Sequence, residues 1–305
     1  MQHTMKQLAG ATLVAAMSLA GTAHAQQAED VKVGFAGPMT GAQAHYGKDF
    51  QNGITLAIED INATKPVIGG KPVRFVLDSA DDQADPRTGT TVAQKLVDDR
   101  TAYGQGLADQ FEKAAKAAGG TIVDREYTND KAVDFKSILT KLKAANPDLI
   151  YYGGADSQAA PMVKQMKALG VKAPLMGGEM VHTPTFLQLA GDAANGTVAS
   201  LAGLPLEEMP GGNDYVAKYK KRFGEDVQTY SPYAYDGAMA MFAAMKKANS
   251  TDPAKYLPFL AKTDMPAVTT KSLQYDTKGD LKNGGITLYK VVDGKWTTLE
   301  SVGGK

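Results

Sequence analysis

The chain has 305 residues, and its 33 lysines and arginines balance 33 aspartates and glutamates to a formal net charge of zero. That length buries one substantial core or two, and neutrality argues against a nucleic-acid binder, which carries a basic surplus or stripe. Cysteine is absent, so thiol nucleophiles, thiolate metal sites and disulfides are excluded.

The N-terminus, MQHTMKQLAGATLVAAMSLAGTAHAQQ, opens on a short polar segment with Lys6. An apolar run from Leu8 to Ala20 follows and ends in Ala23-His24-Ala25, a small-x-small pattern. Charge, apolar run and small residues in that order predict a signal peptide over 1–25, cleaved near Ala25, and hence a periplasmic protein. The run is too short to span a bilayer. Cleavage removes His3 and His24, leaving His45 and His182 as the mature histidines. A multi-histidine zinc site is then excluded, and no metal or cofactor is expected.

The remaining chain alternates strand with helix. VKVGFAG, Val31 to Gly37, predicts a strand entering a loop. Phe50, Ile54, Ala57, Ile58 and Ile61 predict a helix over 47–62. KPVRFVLDSADD predicts a second strand, and Pro86 opens a helix carrying Val92, Leu96 and Val97. This βαβα order marks a parallel sheet covered by helices. At Asp98–Asp99 the alternation fails: a helix ends there and another begins just after Tyr103-Gly104, with no room for a strand between them.

Beyond that junction come a helix closed by Gly119-Gly120, a strand TIVDREY, and a helix from Phe135 to Leu142 stopped by Asn146-Pro147. DLIYYGG is a strand, followed by a helix through Met162, Met166 and Leu169 and a strand APLMGG. A short helix over 183–189, a strand GTVASLAG and helices over 214–223, 233–249 and 252–262 come next. SLQYD, GGITLYKVVDG and KWTTLE close the chain as short strands.

In open α/β sheets ligands bind beyond the carboxyl ends of strands. GPMTGAQAHYG, Gly37 to Gly47, offers Thr40, Gln43 and Tyr46, but its glycine spacing and the Asp49 after Gly47-Lys48 rule out a phosphate loop. Tyr103-Gly104-Gln105-Gly106 has Asp109 where a dinucleotide fingerprint needs glycine or alanine, and no strand precedes it. In MGGEMV, Glu179 stands where a strand-end carboxylate could take an ammonium group, although an exposed turn is the ordinary fate of glutamate. In YYGGADSQ, Asp156 and Ser157 sit near a helix start, where Ser157 reads as a cap. Asp81-Asp82 read as solvated acids ahead of a helix. A hydrolase would have to use His45 or His182, and the chain lacks the nucleophile elbow G-x-S-x-G.

Taken together, VKVGFAGPMTGAQAHYGKDFQNGITLAIEDINA, GKPVRFVLDSADDQADP, RTAYGQGLADQFEKAAKAAG, DFKSILTKLKAANPDLIYYGG and YDTKGDLKNGGITLYKV resemble the periplasmic branched-chain amino acid-binding proteins of ABC importers. The resemblance runs from Val31 to the C-terminus. It implies an α/β type I periplasmic binding fold, two doubly wound lobes joined by a hinge. It also implies a non-catalytic monomer that captures an amino acid for a permease in the inner membrane. The N-terminal lobe is expected over 26–99 plus parts of the C-terminal region, and the C-terminal lobe mainly over 100–305. By position, Tyr46 and Tyr103 would lie against the ligand side chain and Glu179 would pair with its α-ammonium. A third aromatic of some members is Ala155 here. About two βα units, roughly 60 residues at the usual unit size, are missing between Leu96 and Tyr103. With them go the serine and Ala-Thr loops that hold the ligand α-carboxylate, so the first lobe is shortened by a deletion near 99–100 and binding is expected to be impaired.

Overall fold

The structure, a computed structural model, describes residues 28–83 and 100–304, and of residues 100–103 it describes the backbone alone. The expected signal peptide over 1–25, the helix opened by Pro86 and the junction at Asp98–Asp99 lie outside the described residues.

The chain begins with β1 (Glu29–Gly37), α1 (Ala44–Ala63), β2 (Val67–Ile68) and β3 (Lys71–Asp81). After the junction come α2 (Arg100–Ala117), α3 (Lys136–Ala145), β4 (Ile150–Tyr152), α4 (Asp156–Leu169), β5 (Leu175–Gly177), α5 (Pro184–Ala190) and β6 (Val198–Ala202). Then follow α6 (Gly212–Phe223), α7 (Ser231–Ala248), α8 (Pro253–Leu260), β7 (Asp264–Met265), β8 (Leu273–Gln274), β9 (Gly285–Val292) and β10 (Lys295–Gly303). The helix ends follow local chemistry. Thr183 caps α5 by accepting from the Phe186 N–H, with Pro184 in the first turn. Asn146 ends α3 in the left-handed region just before Pro147.

Two larger sheets organise two cores. In the first, the order is β1-β3-β2, with β1 parallel to β3 and Val31 opposite Phe75. Val33, Ala57, Ile58 and Phe75 form a core that α7 completes with Ala238, Phe242 and Met245. The Phe75 and Phe242 rings lie 4.4 Å apart. Asp49, buried in α1, fastens α7 in place: its Oδ2 accepts from the N–H groups of Thr229, Tyr230 and Ser231 at 3.0, 2.6 and 3.0 Å. These are donors at the start of a helix, where an acid is favoured. A sequence-distant segment thus serves the first core. In the second sheet the order is β10-β9-β6-β5-β4. β4, β5 and β6 run parallel, and β9 pairs antiparallel with both β6 and β10. Its core holds Leu139, Ile150, Val163, Leu175, Phe186 and Val291 among others.

The structure departs from expectation at TIVDREY, which has no regular structure. A strand needs a neighbour to pair with, and α2 rather than a strand packs beside β4. Phe111 stacks on Tyr151 at 4.1 Å. Gly104 comes so close that a Cβ there would lie 2.0 Å from the Gly153 carbonyl oxygen. Arg125 is held instead by Asp109 and by Glu112, at 2.9 Å from the latter, and Lys141 by Asp124 and Glu126. Tyr103-Gly104 was expected just ahead of the helix, yet α2 already begins at Arg100. SLQYD shortens to β8, and β10 runs on to Gly303.

Candidate functional site

Loops from both cores converge around Tyr46. This residue lies in the first turn of α1, is buried, and donates its hydroxyl to the Met180 carbonyl at 2.6 Å. Burial, and next the Asp156 carboxylate, push its phenol pKa far above the ordinary range, so the hydroxyl stays protonated and remains a donor. Tyr230 meets Tyr46 edge-on at 5.7 Å and stacks on Phe50 at 4.7 Å.

Glu179 follows β5 in the turn Gly178–Val181 and is half-buried. Its charge reaches two phenols. Burial chiefly raises the Tyr151 and Tyr230 hydroxyls, and in both the Glu179 carboxylate is the next cause. A carboxylate beside aromatic rings can take an ammonium group, with the rings against an aliphatic chain.

Asp156 holds this turn. It is fully buried at the start of α4, its Oδ2 accepts from Thr183 Oγ1 at 2.6 Å, and its N–H donates to the Met180 carbonyl at 3.0 Å. His45 Nε2 lies 3.0 Å from the same Oδ2, so the first core bonds to the second through adjacent residues of α1. Ser157 does not cap α4: Ala155 occupies the cap, and the Ser157 hydroxyl bonds to Gln158 at 2.8 Å. Thr40 and the Met39 N–H bind Asp81, which holds its carboxyl below the usual range and fixes the first loop.

The structure therefore brings Tyr46 and the Glu179 turn together. Tyr103 lies on α2, one residue before the contact of Gly104 with Gly153, and its side chain is outside those described. Tyr230 and Tyr151 were missed in the sequence because no motif marks them. His45, next to Tyr46, stands out in the sequence only as a candidate catalytic group.

The sequence profile described as periplasmic binding protein matches residues 30–101 and, in a second piece, 98–295. The chain belongs to that family. The two pieces overlap in the chain at residues 98–101. A Leu/Ile/Val-binding protein homolog 1 of Brucella melitensis is 25% identical over 372 aligned positions, covering 95% of this chain and 98% of that protein. That alignment is longer than the chain itself. A leucine binding protein LivK from Thermotoga maritima superposes with a TM-score of 0.77 at 18% identity, covering 89% of this chain and 98% of that one. The branched-chain amino acid transporter substrate binding protein LivJ from Streptococcus pneumoniae, in complex with isoleucine, gives 0.76 at 19%, covering 90% and 100%. The fold is that of the type I periplasmic binding proteins. Members are transporter binding proteins, not enzymes, and work in the periplasm or outside the cell. The hydrolase alternative finds no support, since the family is one of transporter substrate-binding proteins and not of enzymes; His45 is bonded to Asp156, and the His182 ring meets Tyr289 and Trp296 at a tilt.

Proposed function

We propose that this chain is a solute-capturing subunit of an ABC importer for a branched-chain or related amino acid. It is exported by cleavage near Ala25 and hands its ligand, as a monomer, to a permease in the inner membrane. The observation that carries this reading is the Tyr46 hydrogen bond to Met180, which joins the first turn of α1 to the turn bearing Glu179. Glu179 takes the α-ammonium, and Tyr46 and Tyr103 face the ligand side chain. The relatives' names supply the ligand class, since the Brucella protein is named for leucine, isoleucine and valine and the Streptococcus structure holds isoleucine.

The loops that hold the ligand carboxylate in the resembling family have no counterpart in this chain. A carboxylate left unpaired in a closed cleft costs several kcal/mol, which lowers affinity by orders of magnitude. Calorimetry with leucine tests both parts. The chain as it stands should bind weakly or not at all, while a chain with the missing segment restored between Asp99 and Arg100 should bind in the micromolar range. Micromolar binding by the short chain refutes the impairment, and no binding of any branched-chain amino acid by the restored chain refutes the amino-acid reading.

A further inference from the structure

The two larger sheets end on four strands, and three of those ends are blunted. β10 carries a bulge between Thr298 and Glu300, which turns an edge away from partners. β2 is two residues long, and β4, three residues long, has α2 packed beside it. β1 differs. It runs nine residues without proline, in unbroken register with β3, and no strand among the described residues lies on its other side. A long, regular, uncovered edge is a template for another strand.

The groups it offers follow from one bond. The Asp82 N–H donates to the Gly37 carbonyl at 3.2 Å, so Gly37 points its backbone groups at β3. Backbone groups alternate sides along a strand, so those of Val31, Val33 and Phe35 also face β3. Asp30, Lys32, Gly34 and Ala36 turn their N–H and C=O groups outward, and all four residues are exposed. The charges among them are already held on their own sheet. Arg74 binds Asp30 at 2.8 and 2.9 Å, and Lys32 lies 3.2 Å from Asp78. Val31 and Phe35, on the core side, are only half-buried.

We propose that β1 pairs with β1 of a second copy of this chain, edge to edge and antiparallel, about a twofold axis at Val33. A closed pair that uses one edge twice sets its strands antiparallel, and outward-facing residues must then meet each other. Centring on Val33, the middle of β1, meets that condition and pairs all nine residues. Lys32 faces Gly34 and Asp30 faces Ala36, so no like charges are opposed, whereas centring on Lys32 would oppose two lysines. Gly34 leaves room, since a Cβ there meets nothing within 4 Å. Asp78, beside Gly34 in β3, lies on the face along which the second copy's Lys32 extends. On the core side Val33 meets Val33 and Val31 meets Phe35, which covers their exposed parts. A single strand edge makes a small interface of the exchanging class, so the pair is reversible and the single chain remains the form that meets a permease. The pairing stands independently of which ligand the cleft takes.

Sedimentation velocity of the purified chain over roughly 10 μM to 1 mM tests this. A reversible shift from one chain to two is expected, with amide exchange at Lys32 and Gly34 slowing as concentration rises. Gly34→Lys opposes the second copy's Lys32 and should weaken the pair about fivefold, whereas Gly34→Glu should tighten it. A chain that stays single overturns the proposal, and β1 amides protected at every concentration would then mean that a segment of the same chain covers the edge. Growth beyond two chains overturns the closed pairing. A shift that neither substitution changes, or that both weaken alike, places the contact elsewhere or in another register and overturns it as well. The sedimentation and exchange measurements use the unaltered chain, so they decide the matter whether or not the variants fold.

Discussion

The sheet of the second core runs five strands, whereas that of the first runs three. The larger sheet carries a contiguous cluster drawn almost wholly from residues 132–199, with Val291 and Trp296 added from the C-terminal strands. The smaller one takes β1, α1 and β3 from the first part of the chain and closes only when α7 packs on them. The difference teaches where the shortened chain is vulnerable. Both cores have a parallel edge strand with one strand neighbour among the described residues, β1 in one and β4 in the other. β4 has α2 packed beside it, whereas the first core has fewer buried side chains to offset the loss.

The largest effect should come from truncating one ring in each core. Phe242→Ala and Phe186→Ala each remove a fully buried ring at about 3–5 kcal/mol. Hydrogen exchange in Phe242→Ala should lose protection in β1 and β3 while β5 and β6 keep theirs. Phe186→Ala should leave a measurable melt. Equal loss across both sheets in either variant would make the protein one cooperative unit and dissolve the distinction.

Acid should narrow the gap between the cores. His182 titrates near 6.5 when unfolded and at about 4 when buried. Between those values the unfolded chain binds more protons, so stability rises with pH across the window and is lost as pH falls toward 4. The loss is at most about 3 kcal/mol. His182→Phe should flatten the slope of urea midpoints between pH 6.5 and 4, and an unchanged slope would show that His182 does not set it. The smallest effect belongs to the bond between the cores. Tyr46→Phe removes one hydrogen bond worth about 1 kcal/mol. It should lower the melting temperature slightly and leave both sheets equally protected.

Much of this architecture could be read in the residues, because helical spacing at Ile54–Ile61 and Met162–Leu169 and the glycines closing strands at Gly153 and Gly177 are local signals. Tyr46 and Glu179 could be proposed because each follows a strand end. TIVDREY was misread because alternation states that a segment can pair, not that a neighbour exists. Asp49 gave no sign of its role: its partners at Thr229 to Ser231 are about half the chain away, and no local pattern encodes that. Tyr230 was hidden for the same reason, since only the arrival of α7 sets it beside Phe50.

The anchoring of α7 by Asp49 also has a bearing on the order of events in folding. β1, α1 and β3 emerge early from the ribosome, yet Phe242 and Met245 must be made before their core can close. Contacts separated by 180 residues, such as the Gly69 N–H to Asn249, place the first core among slow-folding, high-contact-order arrangements. The second core can assemble from nearer neighbours first. The N-terminal segment is thus the first to be synthesised and the last to be secured, and until α7 arrives its apolar strands stand open to any chaperone or protease that meets them.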